Sequence, residues 1–150
     1  MIIKKLQYDE LYSMLPLVWR VFCKYEAVNC PEDGKQAFYD AVHSEDYLTQ
    51  LTAYGAFVDG SPVGIIATRN QGSHIALFFV EGKYHGRGIG RKLWNSVLAE
   101  NDAEEITVNS SQYAVEIYRK LGFEQTASAQ TEDGIIFIPM KYTRTGDTRS

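Results

Sequence analysis

The sequence predicts a single mixed α/β domain. Three observations carry that reading. Strand-like and helix-like apolar patterns follow one another along the chain, no linker, repeat or low-complexity tract divides it, and 150 residues fit one core. The composition agrees: 45% apolar, 23% charged and 13% aromatic residues supply the volume of a continuous core and exclude a disordered chain.

Ile2, Ile3 and Leu6 predict a short first strand. Leu11, Met14, Leu15, Val18 and Phe22 then recur at helical spacing and predict a helix across 9–24, with Pro16 as the point of a kink. Asn29-Cys30-Pro31 reads as a break, after which Asp33 is the expected cap of a second helix that turns Ala37, Phe38, Ala41 and Val42 to one side. Residues 51–58 and 63–68 read as strands joined by Asp59-Gly60-Ser61-Pro62, a tight reversal, and Asn70-Gln71-Gly72-Ser73 marks another turn.

Residues 74–80 are almost continuously apolar, as a central strand covered on both faces requires. A period of two would put His74, Ala76, Phe78 and Val80 on one face and Ile75, Leu77, Phe79 and Glu81 on the other. Beyond a Gly-rich segment, Ile89, Leu93, Trp94, Val97 and Leu98 form one face of a helix running to about residue 100. Ile106-Thr107-Val108 opens another strand, and Ala114, Ile117, Tyr118 and Leu121 mark a further helix closed by Gly122. Residues 134–142 read as the terminal strand, paired with 123–129 across Thr131-Glu132-Asp133-Gly134. The polar residues 143–150 are expected to fray, which sets the domain at 1–142.

Charge narrows the partners. Fifteen Lys and Arg against nineteen Asp and Glu give a net charge of −4, which opposes contact with nucleic acid or an anionic membrane, so neither is expected. Cys23 and Cys30 are too few for a disulfide framework or a Cys-rich metal site, which points to a reducing compartment and to no metal. The opening residues 1–7 turn polar too soon for a signal peptide, and the expected location is the cytoplasm.

Chemistry concentrates between Val80 and Leu93. Gly86, Gly88 and Gly90 permit turns and close backbone approach that a Cβ would obstruct, and the first amides of the following helix are free to bind an anion. A phosphate suits such a site, and Arg87, Arg91 and Lys92 add local positive charge. A Walker loop would need Lys-Ser or Lys-Thr after its last glycine, whereas Gly90 is followed by Arg91-Lys92. A Rossmann fingerprint would follow an early strand and carry an acidic residue about 20 positions on.

In His85-Gly86-Arg87-Gly88-Ile89-Gly90 the chain resembles the GNAT family, the Gcn5-related N-acetyltransferases, whose form here is Gln/Arg-x-x-Gly-x-Gly/Ala. Gly88 and Gly90 match, and His85 departs at the first position. A second match, in the family's order and separation, runs from Asn109 to the Tyr118-x-x-x-Gly122-Phe123 end of a helix.

The resemblance implies a central mixed, mostly antiparallel sheet flanked by helices, and acetyl-CoA as acyl donor. It further implies that backbone around Phe79 and Val80 pairs with the pantetheine arm. His85, Gly86, Arg87, Gly88, Ile89, Gly90 and Arg91 would then wrap the pyrophosphate, and Asn109 and Ala114 would line the far side of the arm. Tyr118 would lie near the thioester sulfur, where a hydroxyl can donate to the departing thiolate.

An amine must be neutral to attack a thioester, so a base or a water route is needed. His74, at the start of the central strand where the family sometimes has a carboxylate, is the expected base. Glu81 reads as a solvated loop residue that could help through water. Tyr25, Glu26, Glu32 and Asp33 fall in the region that often shapes the family's acceptor pocket, although each carboxylate alone reads as part of a solvated face. Arg69 is a candidate for an acceptor carboxylate, and Trp19 and Trp94 read as core or interface. The expected reaction is direct transfer from acetyl-CoA to a primary amine, with a small-molecule acceptor. A peptide or protein amine, or an acyl-CoA-binding protein without effective catalysis, are the alternatives, and a homodimer is compatible with either.

Overall fold

The computed structural model describes residues 1–27, 30–132 and 134–144. The chain runs β1 (Ile2–Lys5), α1 (Tyr8–Ser13), α2 (Leu15–Val21), a π-helical turn (Phe22–Glu26), α3 (Glu32–Val42), α4 (Glu45–Thr49), β2 (Thr52–Val58), β3 (Ser61–Arg69) and β4 (His74–Val80). It continues through a short 3-10 turn (Gly82–Tyr84), α5 (Ile89–Glu100), β5 (Glu105–Ser110), α6 (Val115–Leu121), β6 (Glu124–Gln125), β7 (Gln130–Glu132) and β8 (Ile135–Thr143).

The strand order is β1-β2-β3-β4-β5-β8-β6, with β7 paired to β8. Every pairing is antiparallel except β4 with β5. That single parallel step follows from the crossover through α5, since parallel neighbours need a long connection. The architecture is the expected mixed, mostly antiparallel sheet flanked by helices.

Two apolar cores lie on the two faces of the sheet. One joins Leu11, Met14, Leu15, Val18 and Phe22 of the N-terminal helices to Leu77 and Phe79 of β4. The other joins Leu93 and Trp94 of α5 and Tyr118 of α6 to Ile66, Ile106 and Phe123. Trp94 is fully buried against Phe123 and Tyr142, both at ring-centroid distances of 5.1 Å.

Several boundaries differ from expectation for identifiable reasons. The helix across 9–24 is two helices that break at Met14, because Pro16 occupies the first turn of α2, where its missing N–H costs nothing. Pro31 is the N-cap of α3, so Asp33 lies inside the first turn, facing the positive end of the helix dipole with Glu32. Asn29, part of the expected break, falls outside the described residues. The unanticipated α4 is capped by Ser44, whose Oγ accepts from the Tyr47 amide. The expected strand across 123–129 is two fragments, β6 and β7, so Thr131 and Glu132 lie in a strand and not in a turn.

The largest departure is in β4. A register shift between Ala67 and Thr68 of β3 leaves Ala76 without a partner, since Ala67 faces Leu77 and Thr68 faces Ile75. One extra residue inverts the alternation: Ile75 joins Phe78 and Val80 on the α5 side, while Ala76 packs with Leu77 and Phe79 on the other. The period-two assignment therefore fails on the N-terminal side of the bulge.

The last described residues pack against the domain. Thr143 belongs to β8, and the Arg144 guanidinium donates to the carbonyls of Leu98 (3.0 Å), Asn101 (2.7 Å) and Ala103 (2.9 Å), closing the C-terminal end of α5. Of the stretch expected to fray, residues 145–150 lie outside the described residues. No helix among the described residues is long and apolar enough to cross a membrane. Arg144→Ala should strand those carbonyls and lower the free energy of unfolding by roughly 1–3 kcal/mol, read from urea denaturation followed by tryptophan fluorescence.

Candidate active site

The site begins where the sheet opens. β4 and β5 pair only at His74 with Thr107 and Ile75 with Val108, then separate at the Ala76 bulge while β5 continues along β8 to Ser110. Beyond the bulge, one edge of β4 has no strand partner among the described residues. The Glu81 amide donates to Val63 (2.8 Å), which makes Val80–Gly64 a non-hydrogen-bonded pair. By alternation, the backbone groups of Phe78 and Val80 face the gap, whereas those of Phe79 are used by β3. Phe79 therefore brings its side chain to the site and Val80 its backbone.

A cleft of about 230 Å³ occupies one side of this opening, lined by Val80, His85, Gly88, Arg91, Ala114 and Tyr118 among others. Its floor is the glycine loop. Gly86 and Gly88 have φ of +78° and +80°, a region that side chains resist, and a Cβ at either would project into open space. Gly88 is the N-cap of α5, so the amides of Ile89, Gly90 and Arg91 have no intrahelical acceptor and stand beside the cleft. Gly90 lies in the first turn, and a Cβ there would meet only the Phe78 ring at ordinary contact distance. Arg87 is exposed with its guanidinium over Tyr84. Arg91 donates to the Lys120 carbonyl at 2.9 Å, tying the start of α5 to the end of α6.

His85 folds back on the strand it follows. Its Nε2 lies 2.7 Å from the Val80 carbonyl, which can only accept, and its Nδ1 lies 3.3 Å from the Tyr113 hydroxyl. A proton on Nε2 satisfies the first contact, and the Tyr113 hydroxyl can meet Nδ1 as donor or acceptor. Tyr25 packs against both rings, at 5.0 Å from each, and its hydroxyl stands where a Cβ on residue 82 would have to be, so Gly82 is required there.

A second cavity, of about 300 Å³, lies between the π-helical turn, α3, β4, β5 and the β7–β8 region. Glu26, Phe78, Phe79 and Tyr118 line both cavities and so mark their junction. Asn109 lines this second cavity and not the cleft, while Ala114 lines the cleft, so these two residues are separated between the chambers.

Tyr118 is buried between Phe78 (5.8 Å) and Phe123 (5.2 Å). Burial, then the nearby Glu26 charge, raises its hydroxyl well above the ordinary tyrosine range, so it stays protonated as a donor at neutral pH. Glu26 is the residue that sequence reasoning undervalued. Burial pushes its carboxyl up to about 7, against the opposing hydrogen bond from Ser111. Ser111 in turn accepts from the Ala114 amide at 3.2 Å. A carboxyl poised near neutrality beside a protonated hydroxyl is an acid–base pair of the kind that group transfer uses.

The other candidates lie elsewhere. His74 lines neither cavity; its Nδ1 is 2.7 Å from Thr107 Oγ1, and burial, then Arg69, lower its proton affinity. Glu81 is not a free loop carboxylate, because it accepts from Arg20 Nε at 2.8 Å. Arg69, paired across strands with His74, lines neither cavity. No cluster of His, Cys, Asp and Glu among the described residues could hold a metal ion.

Residues 24–144 match the family of acetyltransferase (GNAT) domains. A GCN5-related N-acetyltransferase from Rhodopseudomonas palustris shares the fold, with a TM-score of 0.78 at 17% identity over 95% of each chain. Apo YjaB from Escherichia coli gives a TM-score of 0.73 at 22% identity, covering 95% of this chain and 98% of its own. PaiA N-acetyltransferase from Thermoplasma acidophilum, solved in complex with coenzyme A, gives 0.72 at 17% identity, covering 96% and 100%. Comparison with curated proteins finds no match. With the family match spanning most of the chain and the sheet opening beside a glycine-capped helix, the chain belongs to the GNAT acetyltransferase family.

Proposed function

We propose that this protein is an N-acetyltransferase that moves the acetyl group of acetyl-CoA to a primary amine by direct attack, with both substrates bound together. The observation that carries the reading is the junction of two cavities at Tyr118 and Glu26, one beside an anion-binding helix terminus and the other closed by acidic and aromatic residues. The residues fit the cosubstrate. Gly86, Gly88 and the free amides of α5 suit its pyrophosphate, and the strand-free edge of β4, with the Phe78 backbone and the Val80 amide beside the His85-bonded Val80 carbonyl, suits the amides of its arm.

Acetyl-CoA supplies an activated carbonyl and a thiolate leaving group. The chain supplies position and protons. The amine reaches the junction from the second cavity and loses a proton to Glu26, directly or through water, with Ser111 holding the carboxylate. Its nitrogen bonds to the carbonyl carbon as the carbon–sulfur bond breaks; CoA departs as a thiolate that accepts a hydrogen bond from the Tyr118 hydroxyl, and the second proton, shed by the nitrogen as it becomes an amide, passes to that sulfur to give the free thiol. Glu26 takes the role that the sequence reading assigned to His74, since His74 is engaged with Thr107 outside both cavities.

Acetyl-CoA with a panel of amines should give free CoA and an acetylated product by mass spectrometry, and Tyr118→Phe should lower kcat by roughly 10- to 100-fold, modest because thiolate leaves readily. Binding of acetyl-CoA without any acetylated amine would replace the enzyme reading with that of a binding protein.

Glu26 acts as a base only when ionised, so kcat/KM should fall as pH drops through about 7. In Glu26→Gln that inflection should vanish and the rate should fall on the order of 100-fold. The same variant should change stability. A carboxyl whose folded pKa is raised holds a proton that the unfolded chain releases, so the wild type loses stability as pH rises from about 4.5 to about 7. Between pH 4 and pH 8 that loss is on the order of 1–3 kcal/mol, and urea unfolding of Glu26→Gln should be correspondingly flatter.

A further inference from the structure

The second cavity carries information about what it accepts. Five phenylalanines, Phe22, Phe38, Phe78, Phe79 and Phe137, contribute to its walls. Phe22 and Phe38 stack with ring centroids 3.9 Å apart and planes 11° apart, and Phe38 meets Phe79 edge to face at 6.2 Å. Phe22 and Phe79 are themselves buried in the N-terminal core, so these walls are fixed by packing and are not free to fold away from an incoming polar group. The charged residues of the lining are Glu26 and Glu132, both acidic, with Asn109 and Ser111 as neutral polar members. No Lys, Arg or His lines it among the described residues, and Arg69, the cation that sequence reasoning offered for an acceptor carboxylate, lies outside it.

Resting on the transfer reading above, we infer that the acceptor is a primary amine carried on an aromatic or branched aliphatic body and bearing no carboxylate. Its ammonium is drawn to Glu26 at the junction, and its body lies against the phenylalanine walls. A volume of about 300 Å³ suits one ring and a short chain. An α-amino acid would set its carboxylate within this acidic, cation-free chamber, where it would lose hydration without gaining a counter-charge. An aminosugar would find carboxylates for its ammonium groups in Glu26 and Glu132, but would set most of its hydroxyls against phenylalanine faces, unpaired.

Phenethylamine and phenylalanine separate these effects, since they differ by the carboxylate alone. Phenylalanine has the less basic amine, so protonation favours it. With acetyl-CoA at fixed pH, kcat/KM for phenethylamine should exceed that for phenylalanine by at least tenfold, and kanamycin should fall below phenethylamine by a similar factor. Ala41→Arg, on the exposed side of α3 at the cavity wall, should narrow the gap at least threefold by raising the rate with phenylalanine. Phe38→Ala should raise KM for phenethylamine about tenfold, as lost apolar burial predicts. A preference for phenylalanine or kanamycin would overturn this inference and leave acetyl transfer standing. Failure to acetylate any amine, with acetyl-CoA binding intact by calorimetry, would overturn the transfer reading and this inference with it.

Discussion

The parting of β4 from β5 is the constraint on which the rest of the molecule depends. Two parallel pairings anchor the strands, and the unpaired Ala76 turns β4 away immediately afterwards. Without that bulge the strands would continue to satisfy one another, and neither the free backbone edge nor the two chambers would exist. An open edge inside a sheet is ordinarily a liability. Here it is walled by α6, the glycine loop and the π-helical turn, so it is reachable by a slender ligand and shielded from another strand.

The π-helical turn at Phe22–Glu26 works with this opening. It brings Phe22 into the second cavity, Tyr25 to the cleft and Glu26 to the junction. A carboxyl there is expensive to ionise because it is part-buried among apolar and aromatic side chains, with Ser111 as its hydrogen-bonding support. Other contacts hold the flanks of the turn: Arg20 donates to Glu81 just beyond β4, and Tyr25 fills the space beside Gly82. The cost of ionisation thus falls on the carboxyl proposed to exchange a proton.

Much of the fold was legible in the sequence because its signals are local. Apolar periodicity located β2 to β5 and α5, and Gly122, with φ of +106°, closes α6 where a left-handed cap was expected. The glycine loop was legible for the same reason, since Gly86 and Gly88 adopt the backbone conformations that favour glycine. What escaped was non-local. The bulge at Ala76 is set by register against β3, so nothing within residues 74–80 announces it. Glu26 looked like surface charge because the groups it meets, Ser111 and Tyr118, lie some 85 and 92 positions away in the chain. His74 looked free because Thr107, which holds it, lies across the crossover.

The bonds of His85 bear on how this loop tolerates change. The ring gives one hydrogen bond to the Val80 carbonyl and can accept one from Tyr113. A glutamine amide offers the same pairing of one donor face with one acceptor face, whereas arginine offers donors alone. Histidine and glutamine are therefore interchangeable in hydrogen-bonding terms at this position. Arginine can serve there too, since the Tyr113 hydroxyl accepts as well as donates, so the demand the loop makes on residue 85 reduces to one donor for the Val80 carbonyl.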